Sequence, residues 1–259
     1  MTSPPKISVV VPSFNKVSYI ERTLNSIISQ KYPNLEVIIQ DGLSTDGTLE
    51  IIKKFAAKYP ILIRFESKKD GGQLNAVNMG FRKARGEVVT YINADDEYCP
   101  GAFAAVAKSY AKTPGSLWFA GLGRAIDKNG REIAGSVSWY KKQALKLNSR
   151  LILMVFNYLM QPSVFISREA YKKFGPFDGT RQFIMEYEMW LKLSDVQMPV
   201  VIDKNLSLFR IEPSTTSQTL SAPLLAEDER TLSKYTKNKF IIGLHKIHNF
   251  GRIIVGKII

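Results

Sequence analysis

The sequence of 259 residues holds one cysteine, two histidines and no long apolar run. With Cys99 alone, no intramolecular disulfide can form, which fits a reducing, cytoplasmic compartment. The longest apolar run lies around Leu151–Phe156, far short of the roughly 20 residues that cross a bilayer. No charged-then-apolar leader opens the chain, so no secretory signal is expected. Neither G-x-G-x-x-G nor G-x-x-x-x-G-K-[ST] follows the first strand-like run, which argues against dinucleotide redox chemistry and P-loop hydrolysis. Acids are scarce relative to bases, 23 against 36, and the net charge is +13. That balance favours an anionic partner such as a nucleic acid, a nucleotide or phospholipid. The cations are not arranged around an aromatic sheet or a recognition helix, so no nucleic-acid partner is expected.

What is present is a regular alternation. Strand-like runs occur at Ile7–Val11, Leu35–Gln40, Ile61–Glu66 and Val88–Ile92, with starts 26 to 28 residues apart. This is the length of a strand plus a returning helix. Between them, Tyr19, Ile20, Thr23, Leu24, Ile27 and Ile28 share one helical face, with Ser18 and Glu21 spaced as a capping box. Leu49, Ile51, Ile52 and Phe55 repeat the pattern behind Asp46, a candidate cap, and Leu74, Val77, Met79 and Phe81 do so again. Residues 1–115 therefore read as an α/β unit, a mainly parallel sheet wound with helices. Beyond 115 the pattern is mixed. Strands are expected at Leu117–Ala120, Ser136–Trp139, Val200–Ile202 and Leu206–Ile211, helices at Ser167–Phe174 and Tyr187–Ser194, and a loop over 212–223. The expected organisation is one domain over 1–225, with halves 1–115 and 116–225, and a basic tail over 226–259.

Ligands of open parallel sheets bind beyond the carboxyl ends of the strands. Four polar clusters stand there: PSFN (12–15), DGLSTDGT (41–48), DGGQLNA (70–76) and NADDE (93–97). Each alone could be an ordinary turn. Asp95 and Asp96 are vicinal carboxylates at a strand end, where their repulsion calls for a cation. Carboxylates suit magnesium or manganese, which would keep open positions for phosphate oxygens.

The segments ISVVVPSFN, IIQDGLSTDGT, DGGQLNAVNMG, YINADDEYCPGAF, QPSVFISREAYKKFGPFD and MEYEMWLKL together resemble the family 2 glycosyltransferases, over roughly residues 5–215. The resemblance implies a GT-A fold, Rossmann-type, with a mixed acceptor-side subregion. It implies transfer of a sugar from a UDP- or GDP-type nucleotide diphosphate to a hydroxyl, with inversion. The setting it suggests is surface polysaccharide or glycolipid synthesis. Carried onto this chain, it places Pro12, Ser13 and Asn15 on the nucleotide, Asp41 on the base, and Asp70, Gly72 and Gln73 along base and ribose. Asp95 would lie near the ribose and metal, and Asp96 on the metal, Mn2+ or Mg2+. Gln161, Pro162 and Ser163 would shape the donor-sugar and acceptor side. Glu186 stands where the family has a catalytic Asp, and Glu188 is the second acid. The acceptor hydroxyl must lose a proton as it attacks, which assigns Glu186 as general base. Trp190, beside it, could stack on a sugar, and Arg210 could meet the diphosphate. Glu212 stands where a family segment carries His, so it is either an oxygen ligand for the metal or a sign of weakened metal binding. The second option keeps open a catalytically silent nucleotide-sugar or glycan-binding module.

From Arg230 to Ile259 there are seven Lys or Arg and no acid. As a helix over 239–258, Phe240, Leu244, Ile247, Ile254 and Ile258 share a face flanked by Lys239, Lys246 and Lys257. Two expectations follow: the tail lies on an anionic membrane, near a lipid-linked acceptor and the inner face of the cell membrane, or it packs on the protein's own core. His245 and His248 are expected at the surface, and Trp118, Trp139 and Trp190 in the core or an acceptor groove.

Overall fold

Alternate residues of the first strands enter different cores, and this sets the architecture. Val10, Ile38, Val89 and Tyr91 pack on one side of the sheet, while Ile7, Val9, Val11, Val37, Ile39 and Val88 pack on the other. A strand buried on both faces must be nearly all apolar, as ISVVVPS is. The chain is described by a computed structural model over residues 3–178, 185–211 and 222–256, without the side chains of 222–224 and 252–256.

The amino-terminal half runs β1 (Ile7–Ser13), α1 (Ile20–Ile28), β2 (Leu35–Asp41), α2 (Thr48–Lys58), β3 (Ile63–Ser67), α3 (Gln73–Lys83), β4 (Val88–Tyr91), β5 (Glu97–Tyr98) and α4 (Ala102–Lys112). It continues as β6 (Trp118–Ile126), β7 (Glu132–Ile133), α5 (Gly135–Leu147), α6 (Arg150–Val155), a 3-10 turn (Gln161–Ser163), β8 (Val164–Ser167) and α7 (Arg168–Phe174). The described remainder is α8 (Met185–Ser194), β9 (Val200–Arg210), α9 (Ala222–Tyr235) and α10 (Lys239–Gly256). The described strands form one sheet ordered β3-β2-β1-β4-β8-β6-β9-β5, with β7 beside β6. The pairs among β1 to β4 are parallel, β8 is antiparallel to β4 and β6, and β9 is parallel to β6. A wound parallel half thus meets a mixed half at β4, the strand that leads into Asp95 and Asp96.

Several local expectations are corrected. The cap of α1 is Tyr19, without a side-chain cap bond, so Ser18 and Glu21 form no capping box. Residues 136–139 lie in α5, whose entry is made by Ala134 at φ 52, and not in a strand. The two short strands expected over 200–211 are a single β9. Its register against β6 shifts around Leu122, and that irregularity hides the strand's periodicity. The loop expected over 212–223 falls mostly outside the described residues, although Ala222 already opens α9.

The tail is packed. Met154, Tyr187, Leu191, Leu232 and Ile241 form a third apolar cluster joining α6, α8, α9 and α10. His245 is buried, not at the surface: its Nδ1 lies 2.9 Å from the Val155 carbonyl, and its ring stacks on Tyr187. His248 stacks on Phe156 and lies 3.0 Å from the Tyr140 hydroxyl. The buried arc of α10 is therefore Ile241, His245 and Asn249, whereas Phe240 and Ile247 face solvent.

Candidate active site

The four strand-end clusters are tied together by side chains. After β1, Asn15 at φ 50 takes the Thr45 N–H on its Oδ1 and gives its own N–H to Ser44 Oγ. Lys16 and Val17 donate backbone N–H groups to Thr48 and Asp46. Asp46 also accepts the Thr48 N–H at 3.0 Å, but the cap of α2 is Gly47 at φ 101 and not the Asp46 expected there. At the end of β2, Asp41 is buried and accepts from Ser44 Oγ at 2.5 Å and Ser67 Oγ at 2.6 Å. Asp70 accepts the Gly72 N–H at 2.8 Å, where Gly72 has φ 109, a conformation that suits glycine. Gln73 then reaches across to Asn93 at 2.6 Å. All four loops are thus held against one another at the carboxyl edge of the parallel strands.

Asp95 and Asp96 are both buried, and their surroundings differ. Asp95 Oδ2 holds the Lys16 ammonium at 2.6 Å. Asp96 Oδ1 accepts the Arg210 N–H at 2.8 Å, and its Oδ2 has no hydrogen-bond partner among the described residues. Burial first, then the Asp95 charge, pushes the Asp96 carboxyl well above the ordinary range. Two further buried polar atoms, Ser13 Oγ and Gln161 Oε1, are also unpartnered among the described residues. The other end of Gln161 donates to the Tyr91 carbonyl at 2.8 Å.

Glu186, at the start of α8, is partly exposed and accepts a short hydrogen bond from the Tyr91 hydroxyl. Tyr91 ends β4, so a carboxylate from the mixed half meets the strand that carries the aspartate pair. Burial pushes the Glu186 carboxyl up, against the pull of the Tyr91 bond. The arrangement can therefore hold a proton-accepting group beside the crevice at the strand ends.

Other expected site residues are enclosed by the protein. Arg210 is enclosed: its guanidinium donates to the Asp95 and Asp127 carbonyls and to Glu97, and it lies over the Tyr19 ring. It braces the aspartate loop. Trp190 is buried and stacked on Trp118 at 5.5 Å, so it offers no face to a sugar. Glu188 is buried and accepts from Lys234 at 3.0 Å and Tyr235 at 3.3 Å, which makes it the anchor of α9 and not a second acid at the crevice. Ser163 is buried and bonded to the Leu122 carbonyl and Ser207, and Pro162 beside it is buried as well. Pro12 is buried at the end of β1. Glu212 lies outside the described residues.

Two residues escaped the sequence reading. Lys16, on the loop after β1, supplies the counter-charge to Asp95, and nothing local in the sequence signals a partner 79 residues away. Phe14, between Ser13 and Asn15, is 59% exposed on the same loop. A large aromatic left in water at the ligand edge of a sheet was a readable signal.

Residues 8–175 match the sequence family described as Glycosyl transferase family 2. Chondroitin synthases of Pasteurella multocida and Escherichia coli are 30% and 31% identical over 74% of this chain, which spans 19% and 27% of their lengths. The chain therefore covers about a fifth to a quarter of those relatives. In fold it is similar to the mannosyltransferase PcManGT of Pyrobaculum calidifontis in complex with GDP-Man and Mn2+. That likeness has a TM-score of 0.70 and 19% identity, over 99% of this chain and 74% of that one. It is similar also to S. aureus TarS in complex with UDP, with a TM-score of 0.64 and 21% identity, over 89% of this chain and 70% of that one. The fold is that of the GT-A glycosyltransferases, and with the family pattern covering residues 8–175, the chain belongs to glycosyl transferase family 2.

Proposed function

We propose that the chain transfers a sugar from a UDP- or GDP-type donor to a carbohydrate or lipid-linked hydroxyl, with inversion and with Glu186 as general base. The observation that carries this reading is the Glu186–Tyr91 contact, which brings a carboxylate from α8 to the end of the aspartate-bearing strand. Inversion needs attack from the face opposite the leaving diphosphate, so base and diphosphate contacts should come from different parts of the fold. Glu186 and the β1–β4 loops meet that requirement. The exposed Phe14 ring offers a stacking surface for the base, and Asn15, Asp41, Asp70, Gly72 and Gln73 order the rim around it.

Asp96 Oδ2, buried without a donor among the described residues and beside a second carboxylate, suits a divalent cation, so Asp96 and Asp95 would hold Mn2+ or Mg2+. Bound there, the metal would offset the charge that develops on the departing diphosphate. Among the described residues no group of three His, Cys, Asp or Glu is placed to hold a metal; substrate oxygens would fill open positions of the shell, with Glu212, outside the described residues, as the further candidate ligand. PcManGT, carrying GDP-Man and Mn2+, and the chondroitin synthases support donor type, metal and a polysaccharide acceptor.

The test is a thermal-shift screen of nucleoside diphosphates and nucleotide sugars with and without manganese, followed by release of diphosphate from the stabilising donor. Stabilisation by one nucleotide class and donor turnover support the reading. Stabilisation without turnover, with or without acceptor, would leave a nucleotide-sugar-binding module instead.

A further inference from the structure

Two stretches of the chain lack any acid: residues 133–168, and residues 230–259. They are far apart in sequence and adjacent in space. Tyr140 of α5 reaches His248 of α10, Phe156 beyond α6 stacks on both rings, and His245 bonds the Val155 carbonyl. The fold thus assembles one helical layer, α5–α6–α10, from both acid-free stretches. On this layer Trp139, Leu147, Leu151, Phe240, Ile247 and Phe250 are between 53% and 73% exposed. Around α10, Phe240, Gly243, Ile247 and Phe250 fall on the arc opposite Ile241, His245 and Asn249, with Lys239 and Lys246 along its edge. Lys146 is exposed on α5. Two acids of neighbouring elements pair with cations of this layer: Glu229 with Lys246 and Asp195 with Arg150.

We propose that this layer docks on an anionic lipid surface, with Trp139 and the Phe240–Phe250 arc entering the headgroup boundary. Exposed apolar rings explain insertion, and a surface built from acid-free segments explains the preference for negative headgroups. No helix among the described residues is long and apolar enough to cross a membrane, so the contact is one of lying on the surface. This goes beyond a basic tail, because α5 and α6 contribute half of the exposed apolar side chains. It rests on the surface alone, and its test does not require the transfer reading to hold.

Trp118 and Trp190 are buried, so Trp139 alone among the tryptophans is open to quenching from outside. Vesicles of phosphatidylglycerol with brominated chains should quench Trp139 emission in the full chain, and phosphatidylcholine vesicles should not. Trp139→Phe should keep vesicle binding and lose the quenching. Trp139→Ser combined with Phe250→Ser should weaken partitioning roughly tenfold, with the melting temperature and donor binding unchanged. Equal binding to both lipids, or binding without quenching, would overturn the proposal. So would ultracentrifugation showing a dimer that the double variant dissociates.

Discussion

Glu186 illustrates how much one hydrogen bond decides. Its carboxyl is raised by burial and held down again by the Tyr91 hydroxyl. As a base it works only when ionised, so transfer should fall as pH drops through its raised value, on an acid limb above the ordinary glutamate range near 4.3. Tyr91→Phe removes a donor to the charged form, and that limb should move to higher pH. Glu186→Gln should retain donor binding by calorimetry and lose roughly two or more orders of magnitude in turnover. Comparable activity of Glu186→Gln and natural protein would remove the assignment. At the aspartate pair the issue is which oxygen is available. Asp96→Asn keeps an acceptor for the Arg210 N–H but loses the charge on the unpartnered side. Manganese should then no longer tighten nucleoside diphosphate binding. If the manganese effect survives in Asp96→Asn and vanishes in Asp95→Asn, the metal belongs on Asp95, in place of Lys16.

Elements were legible where their periodicity was regular. Each of the four parallel strands was found within about two residues: β1, β2 and β4 are buried on both faces, which demands apolar runs, and the β-α repeat fixes the spacing that also locates the more exposed edge strand β3. The mixed half was less readable for identifiable reasons. The register shift around Leu122 breaks the alternation of β9, and Ser136–Trp139 has strand-like residues that a positive-φ Ala134 turns into a helix start. Site residues were legible as a set of strand ends, but the division between ligand-facing and bracing side chains was not. Arg210, Glu188 and Trp190 look like crevice residues in sequence and are committed to Glu97, Lys234 and Trp118 in space. At the level of packing, α3 shows a constraint the pattern did not reveal. Gly80 sits inside the helix, where a Cβ would fall 2.2 Å from Val10 Cγ1 of β1. Alanine there gains about 1 kcal/mol of helix propensity and forces helix and strand apart. Overpacking should win, so Gly80→Ala is expected to destabilise by about 1–3 kcal/mol in urea titration. A stabilised variant would mean that α3 moves freely on β1.

At the scale of the whole molecule, the carboxyl-terminal helices determine how the base is supported. α8 presents Glu186 at its start, buries Tyr187 and Leu191 beneath α9 and α10, and ties Glu188 to Lys234. The polar centre of that packing is His245. Burial opposes its charge, but Asp228, 3.4 Å away, and the Val155 carbonyl raise its pKa overall. Asn249 completes the group, donating to Asp228 at 3.1 Å with its amide 3.1 Å from His245 Nε2. A histidine whose folded pKa is raised contributes stability that is fully present below its unfolded value, about 6.5, and lost as pH rises through the folded value. The urea midpoint of the natural chain should therefore exceed that of His245→Gln most clearly near pH 6 and converge toward it as the solution becomes alkaline. The glutamine can still bond Val155 or Asp228, which keeps the comparison on charge and not on packing. The loops proposed to bind the donor lie in the other half of the sheet, so nucleotide affinity should stay level across the same range. A gap between the two proteins that widens with pH would mean that His245 is held neutral, with Asp228 serving Asn249 alone.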